Sequence, residues 1–394
     1  MRQMASVKGS MPACLPVVRA VPSLNPPRPF STRSPERILV PCGSASYVSI
    51  DLFNSPQDSP KSALLVHLPA FPSADGSVSR VPKFLEDLPV ASINYRWQAA
   101  ASRDPAPLCW PMPVHDTAFA FAWLVDNLAP PGNSRRDIYV YGSHLGASLA
   151  TSLSLTEAHA HARFGVRGLV AYNGIYNWTM FLPDHRINKR APSMMPAPEL
   201  DEASHLRKLQ GAMAGLFDKP SNLFDPFASP SLFFHSPGML QPRSFSMSTE
   251  DAAMIDALTG DQDAPSAPPK APRKSHLIFP PRKSTLKIPQ TLLLHDASRQ
   301  PPRSSKAPKN GQARRKAKAA GHSLAAQAEE LAELMRRSVS VIEMKERCKW
   351  DEEVVEDDQV QRRVQVVEVG PETGSIELND GGQQTALEWL QDRM

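Results

Sequence analysis

Short apolar runs and helix-period segments alternate through the middle of this chain. YVSIDLF at Tyr47–Phe53 alternates apolar and polar side chains, as a half-buried strand does. ALLVHL from Ala63 to Leu68 and VASINY from Val90 to Tyr95 are apolar runs of buried-strand length, with a helical pattern over Val81–Leu88 between them. Asp116–Leu128 reads as a strongly apolar helix closed by Pro130, Pro131 and Gly132. Ile138–Tyr141 and Gly168–Tyr172 read as further buried strands around a small, leucine-rich helix, Ala147–Thr156. Strand character returns at Ile288–His295. A helix over Ser323–Arg337 follows, with Ser323 suited to cap it, then a strand at Val339–Met344. A strand pair at Val364–Val369 and Ser375–Leu378 leads into a last helix, Thr385–Arg393. Strands and helices in this alternation predict an α/β fold: a mostly parallel central sheet with helices on both faces, starting near Ile38.

Other segments break the alternation. Residues 178–243 are rich in Met, Phe and Pro, with one helical stretch from Asp201 to Phe217, and are expected to form a cap insertion over one end of the sheet. Residues 244–279 read as a proline-rich linker with a helical candidate at Asp251–Leu258. Residues 298–321 carry eight Lys and Arg from Arg299 to Lys318 with no acidic residue, and read as a basic, disordered insert. Asp351–Asp358 reads as a solvated acidic loop. Residues 1–36 hold Arg2, Lys8, Arg19, Arg28 and Arg33 before the first acid, Glu36. They read equally as a mitochondrial presequence or as a disordered tail of a cytoplasmic protein. The remainder, 37–394, is expected to be one domain.

Composition narrows the field. Forty prolines in 394 residues is about twice ordinary usage, in keeping with these unpacked segments. Net charge is +4, too small on this length to define a partner. The four cysteines, Cys14, Cys42, Cys109 and Cys348, are scattered, which argues against a zinc site or a disulfide scaffold and fits a reducing compartment. No cofactor is called for, and no apolar run approaches the ~20 residues that span a bilayer.

The chemistry centres on YVYGSHLGAS, Tyr139–Ser148. Strand, glycine-bracketed turn and helix give it the shape of a nucleophile elbow, G-x-S-x-G. The residue at the tip is His144, and the serine, Ser143, comes one position early.

In order along the chain, these pieces resemble the α/β-hydrolase fold, in particular the hormone-sensitive-lipase-like carboxylesterases. Ala63–His67 resembles the strand into the family's oxyanion loop, and Asn94-Tyr95-Arg96 its D-Y-R strand end. Trp110–Pro113 before Asp116 resembles the approach to the helix that precedes the elbow. Asp225-Pro226 with Ser229-Pro230 resembles the D-P and S-P stretch after the cap, and Ile288–His295 the strand before the catalytic acid.

The resemblance implies a serine nucleophile, a histidine base, an orienting acid and backbone oxyanion donors. Each expected position departs from the pattern. The nucleophile position holds His144, so Ser143 could act only as a displaced nucleophile; otherwise both are turn residues. The oxyanion loop, glycine-rich in the family, reads His67-Leu68-Pro69-Ala70, and Pro69 has no N–H to donate. With Leu145 these residues would border the oxyanion pocket. Arg299 occupies the acid position; Asp296 is a shifted substitute or a solvated strand-end aspartate. No histidine occurs after His322, so the loop before the last helix cannot supply the base. Gly321-His322-Ser323-Leu324 mimics an elbow but lacks the preceding strand and the second glycine.

Three functions remain open. The first is a catalytically impaired or inactive hydrolase-fold protein that keeps a pocket for a small acyl or apolar ligand, or an interaction surface. The second is a carboxylic-ester hydrolase using Ser143. The third is an interaction protein whose partner engages residues 299–318. That basic stretch has no interleaved aromatics for stacking on bases, which argues against nucleic acid.

Overall fold

The computed structural model describes residues 35–43, 46–54, 63–72, 78, 80–98, 108–188, 204–259, 270–297, 322–345, 356–373 and 375–394. Eight strands form one sheet: β1 (Glu36–Cys42), β2 (Ser46–Phe53), β3 (Leu64–Leu68), β4 (Val90–Asn94), β5 (Arg136–Ser143), β6 (Phe164–Tyr172), β7 (Gln290–Ala297) and β8 (Val364–Pro371). Their spatial order is β1-β2-β4-β3-β5-β6-β7-β8. β2 runs antiparallel to both neighbours, and every pairing from β4 to β8 is parallel. This order and polarity are those of the α/β-hydrolase fold. The central strands are apolar along most of their length because helices or turns cover both faces.

The helices are α1 (Met112–Leu128), α2 (Leu145–Glu157), α3 (His205–Phe217), α4 (Thr249–Thr259), α5 (Leu324–Val339), α6 (Glu356–Arg363) and α7 (Asp380–Gln391). α1, α2 and α5 pack one face of the sheet into the larger core. On the other face α7 packs with a single 3-10 turn, Lys83–Leu85, around Tyr139, Tyr141 and Leu292. Ser323 caps α5 as its position suggests, its hydroxyl accepting from the Ala326 N–H at 3.0 Å. That role replaces the elbow mimic.

Four local expectations are corrected. Val81–Leu88 forms only the one 3-10 turn, because Pro82 and Pro89 bracket it and the residue before a proline is pushed out of helical geometry. Val339–Met344 is not a strand: α5 runs on through a π-helical turn, Ser340–Met344. Of the expected acidic loop Asp351–Asp358, residues 351–355 lie outside the described residues and 356–358 open a helix, Glu356–Arg363, whose last turn holds Arg362 and Arg363, complementing the helix dipole. Ser375–Leu378 is not a strand either. It leads directly to Asn379, whose side-chain oxygen caps α7 by accepting from the Gly382 N–H at 2.8 Å.

The long connection from β6 to β7 supplies α3 and α4. α3 turns Leu206, Leu209, Met213, Leu216 and Phe217 inward at helical spacing. Its C-terminal end is held by an aromatic cluster in which the Phe217 ring lies 5.4 Å from Trp97, 5.6 Å from Trp110 and 5.0 Å from Trp178. Trp110 Nε1 also donates to Asp225 at 3.1 Å, tying two of the resembling stretches together. Thus anchored, α3 carries His205 at its first residue.

The presequence-like segment and the basic stretch 299–318 lie outside the described residues. Among the described residues no helix is long and apolar enough to cross a membrane.

Candidate functional site

The site is built on the turn between β5 and α2. His144 sits there with φ 51° and ψ −114°, a conformation that non-glycine residues rarely adopt and that costs on the order of 1–3 kcal/mol. Neighbours hold it: the His144 N–H donates to the Tyr172 carbonyl at 2.9 Å. Gly142 and Gly146 are required by close approach. A Cβ on Gly142 would strike the Gly146 carbonyl, and one on Gly146 would strike the carbonyls of Leu68 and Pro69. The backbone is therefore a true elbow, with an imidazole at its tip.

The His144 ring is fully buried. Its Nε2 lies 3.1 Å from Nδ1 of His205, and its Nδ1 has no hydrogen-bond partner. Tyr172 meets the ring edge-on at 5.6 Å, and Phe71 covers it at 5.7 Å. Burial, with the neighbouring His205 adding to it, pushes the His144 pKa down to about 3, so the ring is neutral at ordinary pH. His205 is held in turn by Glu372, from the loop after β8. The His205 backbone N–H donates to Glu372 Oε1 at 2.6 Å, and the same carboxylate oxygen lies 4.0 Å from His205 Nδ1. His144, His205 and Glu372 thus form a line from the elbow, through α3, to the β8–α7 loop.

The Leu145 N–H beside the tip is already occupied. On this fold the N–H of the residue after the nucleophile is an oxyanion donor. Here the Leu145 N–H donates to the Ala70 carbonyl at 3.2 Å. The loop that presents Ala70 is pinned by Tyr95, whose hydroxyl donates to the Pro69 carbonyl at 2.7 Å. Leu68 and Ala70 therefore lie against the elbow through backbone carbonyls, which accept rather than donate. His67 is buried beneath: its Nδ1 is 3.0 Å from Ser92 Oγ, its ring stacks on Tyr141 at 5.8 Å, and burial lowers its pKa to about 3.

Ser143 lies two residues after Tyr141 on β5, so the two side chains share one face of the sheet. Among the described residues no histidine nitrogen lies within hydrogen-bond distance of it. Asp296 makes no hydrogen bond to a histidine side chain among the described residues, although His205 is near enough to favour its charged form. It accepts from the Tyr172 hydroxyl at 2.9 Å and from Asn173 Nδ2 at 2.9 Å, while its N–H donates to Asn173 Oδ1 at 3.0 Å. It is buried, not a solvated strand-end residue. Burial raises its pKa, against the opposing pull of the Asn173 and Tyr172 bonds. The fold therefore brings together His144, Leu145, Leu68 and Ala70. Asp296 is joined to this group through Tyr172, from whose hydroxyl it accepts and whose ring meets His144, while Ser143 makes no hydrogen bond to a histidine among the described residues.

The sequence pattern does not reveal His205 or Glu372. Glu372 does stand in the stretch where the family resemblance places a base histidine, so an acid at that location is the available signal. His205 follows a serine that caps a helix, Ser204, whose side chain accepts from the Arg207 N–H at 3.2 Å. That spacing marks the start of a helix but nothing more. Among the described residues no group of three or more His, Cys, Asp or Glu side chains could hold a metal ion.

No protein-family model matches the chain, and no curated protein matches it. Solved structures similar in chain path include carboxyl esterase 2 of the mycorrhizal fungus Tuber melanosporum, at 14% identity, TM-score 0.47, covering 92% of this chain and 85% of that one. An esterase from Pyrobaculum calidifontis is similar at 14% identity, TM-score 0.46, covering 90% of this chain and 83% of that one. A fungal esterase from Rhizomucor miehei is similar at 12% identity, TM-score 0.45, covering 91% of this chain and 83% of that one.

Proposed function

We propose that this chain is a non-catalytic α/β-hydrolase-fold protein that acts by binding, its elbow serving as a joint between sheet, α3 and the β8–α7 loop. The observation that carries this reading is the Leu145 N–H bonded to the Ala70 carbonyl at 3.2 Å. An acyl-transfer transition state needs that N–H for the developing oxyanion, and removing one such donor costs about 10²–10³ in rate. Two further observations support it. The tip residue is a buried, neutral imidazole whose Nε2 is already paired with His205. Ser143 makes no hydrogen bond to a histidine among the described residues. The ligand class in this reading is a small acyl or apolar molecule, met at the surface by Phe71, which is 40% exposed beside His144.

The competing reading, an ester hydrolase with Ser143 as nucleophile, requires Ser143 to reach a histidine. Fluorophosphonate labelling separates the two. The folded protein is expected to show no covalent adduct by intact mass; an adduct that disappears in Ser143→Ala would establish the hydrolase instead.

A further inference from the structure

At the opposite end of the strands from the elbow, a cavity of about 200 Å³ is lined by four cations, Arg135, Arg167, Lys287 and Arg363. They come from four separate segments. Arg135 immediately precedes β5, Arg167 lies within β6, Lys287 precedes β7, and Arg363 ends α6 just before β8. Four adjacent parallel strands thus begin at this cavity, and each brings one positive charge to it. Val166 and Ile288 supply apolar wall.

The carboxylates nearby do not neutralise the set. Asp137 pairs with Arg167 at 3.1 Å. Glu343 stands 3.6 Å from Arg363 Nη2 and 3.9 Å from Lys287 Nζ. Among the described residues, four cations therefore share two carboxylates, an excess of two positive charges. The donors also divide by role. Arg167 is fully engaged, with Nε on Asp137, Nη1 on the His159 carbonyl at 2.7 Å and Nη2 on the Ala162 carbonyl at 2.5 Å. Arg363 Nη1 is anchored on the Ile288 carbonyl at 2.9 Å. Arg135 commits only Nη2, to the Ala160 carbonyl at 3.3 Å, and Lys287 Nζ has no acceptor within hydrogen-bond distance among the described residues. Two cations are fixed as walls and two keep donors for a guest.

We infer that this cavity binds a small dianionic oxyanion: a phosphate, free or as the monoester of a small molecule. The excess charge matches a dianion, and charge-assisted N–H donors of the kind Arg135 and Lys287 carry suit its oxygens. Size sets the class. The volume is that of roughly six or seven liquid waters at about 30 Å³ each, and falls below the ~300–1,000 Å³ of sites for drug-sized ligands. A phosphate with a short substituent matches that volume. A cleft lined by one sign of charge also concentrates counter-ions from solution. The site is independent of the elbow, so it stands or falls separately from the proposed function.

Calorimetric titration of the full chain with inorganic phosphate, and separately with glycerol 3-phosphate, tests the inference against chloride at matched ionic strength. Saturable 1:1 binding of at least one of the two is expected, weakened tenfold or more in the double variant Arg135→Gln/Lys287→Gln. Both side chains are well exposed, so the variant should keep the wild-type melting temperature; Lys287→Glu alone provides a second variant with the same expected loss. Tighter binding of glycerol 3-phosphate identifies an ester as the natural guest, and equal or weaker binding identifies the free ion. No saturable binding of either, or binding unchanged in both variants, overturns the site.

Discussion

Nε2 of His144 and Nδ1 of His205 stand 3.1 Å apart in a fully buried setting, joining the tip of the elbow to the first residue of α3. One nitrogen must carry a proton and the other a lone pair. His144 Nδ1 already lacks a partner. His205→Ala would therefore leave both nitrogens of a buried imidazole unpaired, a loss of about 1–3 kcal/mol. Urea unfolding should show a lower midpoint with an unchanged slope, and amides of α3 should exchange faster. A change within about 0.5 kcal/mol, the range of surface substitutions, would mean that the pair does not hold α3.

Restoring the serine at the tip should not restore activity. In His144→Ser the hydroxyl regains the family position, but the Leu145 N–H still donates to Ala70, and His205 presents Nδ1 with a carboxylate oxygen 4.0 Å away. Hydrolysis of p-nitrophenyl acetate by this variant is expected to match the buffer rate. Turnover well above it would show that the Ala70 contact opens readily.

Acid should destabilise the protein through its buried histidines. Burial holds His67 and His144 at about 3 in the folded state, against about 6.5 in the unfolded chain. Between those values the unfolded state binds more protons, so stability is complete above about pH 6.5 and is lost as pH falls towards 3. The slope is up to about 1.4 kcal/mol per pH unit for each such group. His67→Asn keeps a polar partner for Ser92 and removes one titration. Its melting temperature should fall less steeply than wild type between about pH 6 and 4. Parallel curves would contradict the assignment.

Much of the frame is legible in the sequence because it depends on local pattern. Gly142 and Gly146 bracket a turn between an apolar strand and a small-residue helix, and both prove to be positions where a Cβ would collide with backbone. What fails locally is decided by distant partners. The β-branched Val339, Val341 and Ile342 suggest a strand, yet α5 continues through them as a π turn packed on the core by Met344. The site is less legible than the fold. His205 lies 61 residues after His144 and only the path of the β6–β7 connection brings the rings together. The occupied Leu145 N–H is a backbone contact, invisible to any reading of side-chain identity beyond the hint of Pro69.

The Asn94-Tyr95-Arg96 stretch should matter for stability. Arg96 grips the fully buried Asp116 with two bonds, Nη2 to Oδ1 at 2.6 Å and Nε to Oδ2 at 2.9 Å. Arg96→Ala leaves that carboxylate only the Arg96 backbone N–H, 2.9 Å from Oδ2, at a cost of about 3 kcal/mol. The thermal midpoint should drop by many degrees, whereas Arg96→Lys, which lacks the planar fork, should fall between. Wild-type stability in Arg96→Ala would exclude a structural role.

The central claim is that the elbow no longer performs acyl transfer. The direct measurement is hydrolysis of p-nitrophenyl butyrate by the folded wild-type chain, run beside Ser143→Ala. Identical rates at the buffer background, with no initial burst, are predicted. A burst stoichiometric with protein, followed by turnover that Ser143→Ala abolishes, would contradict the account.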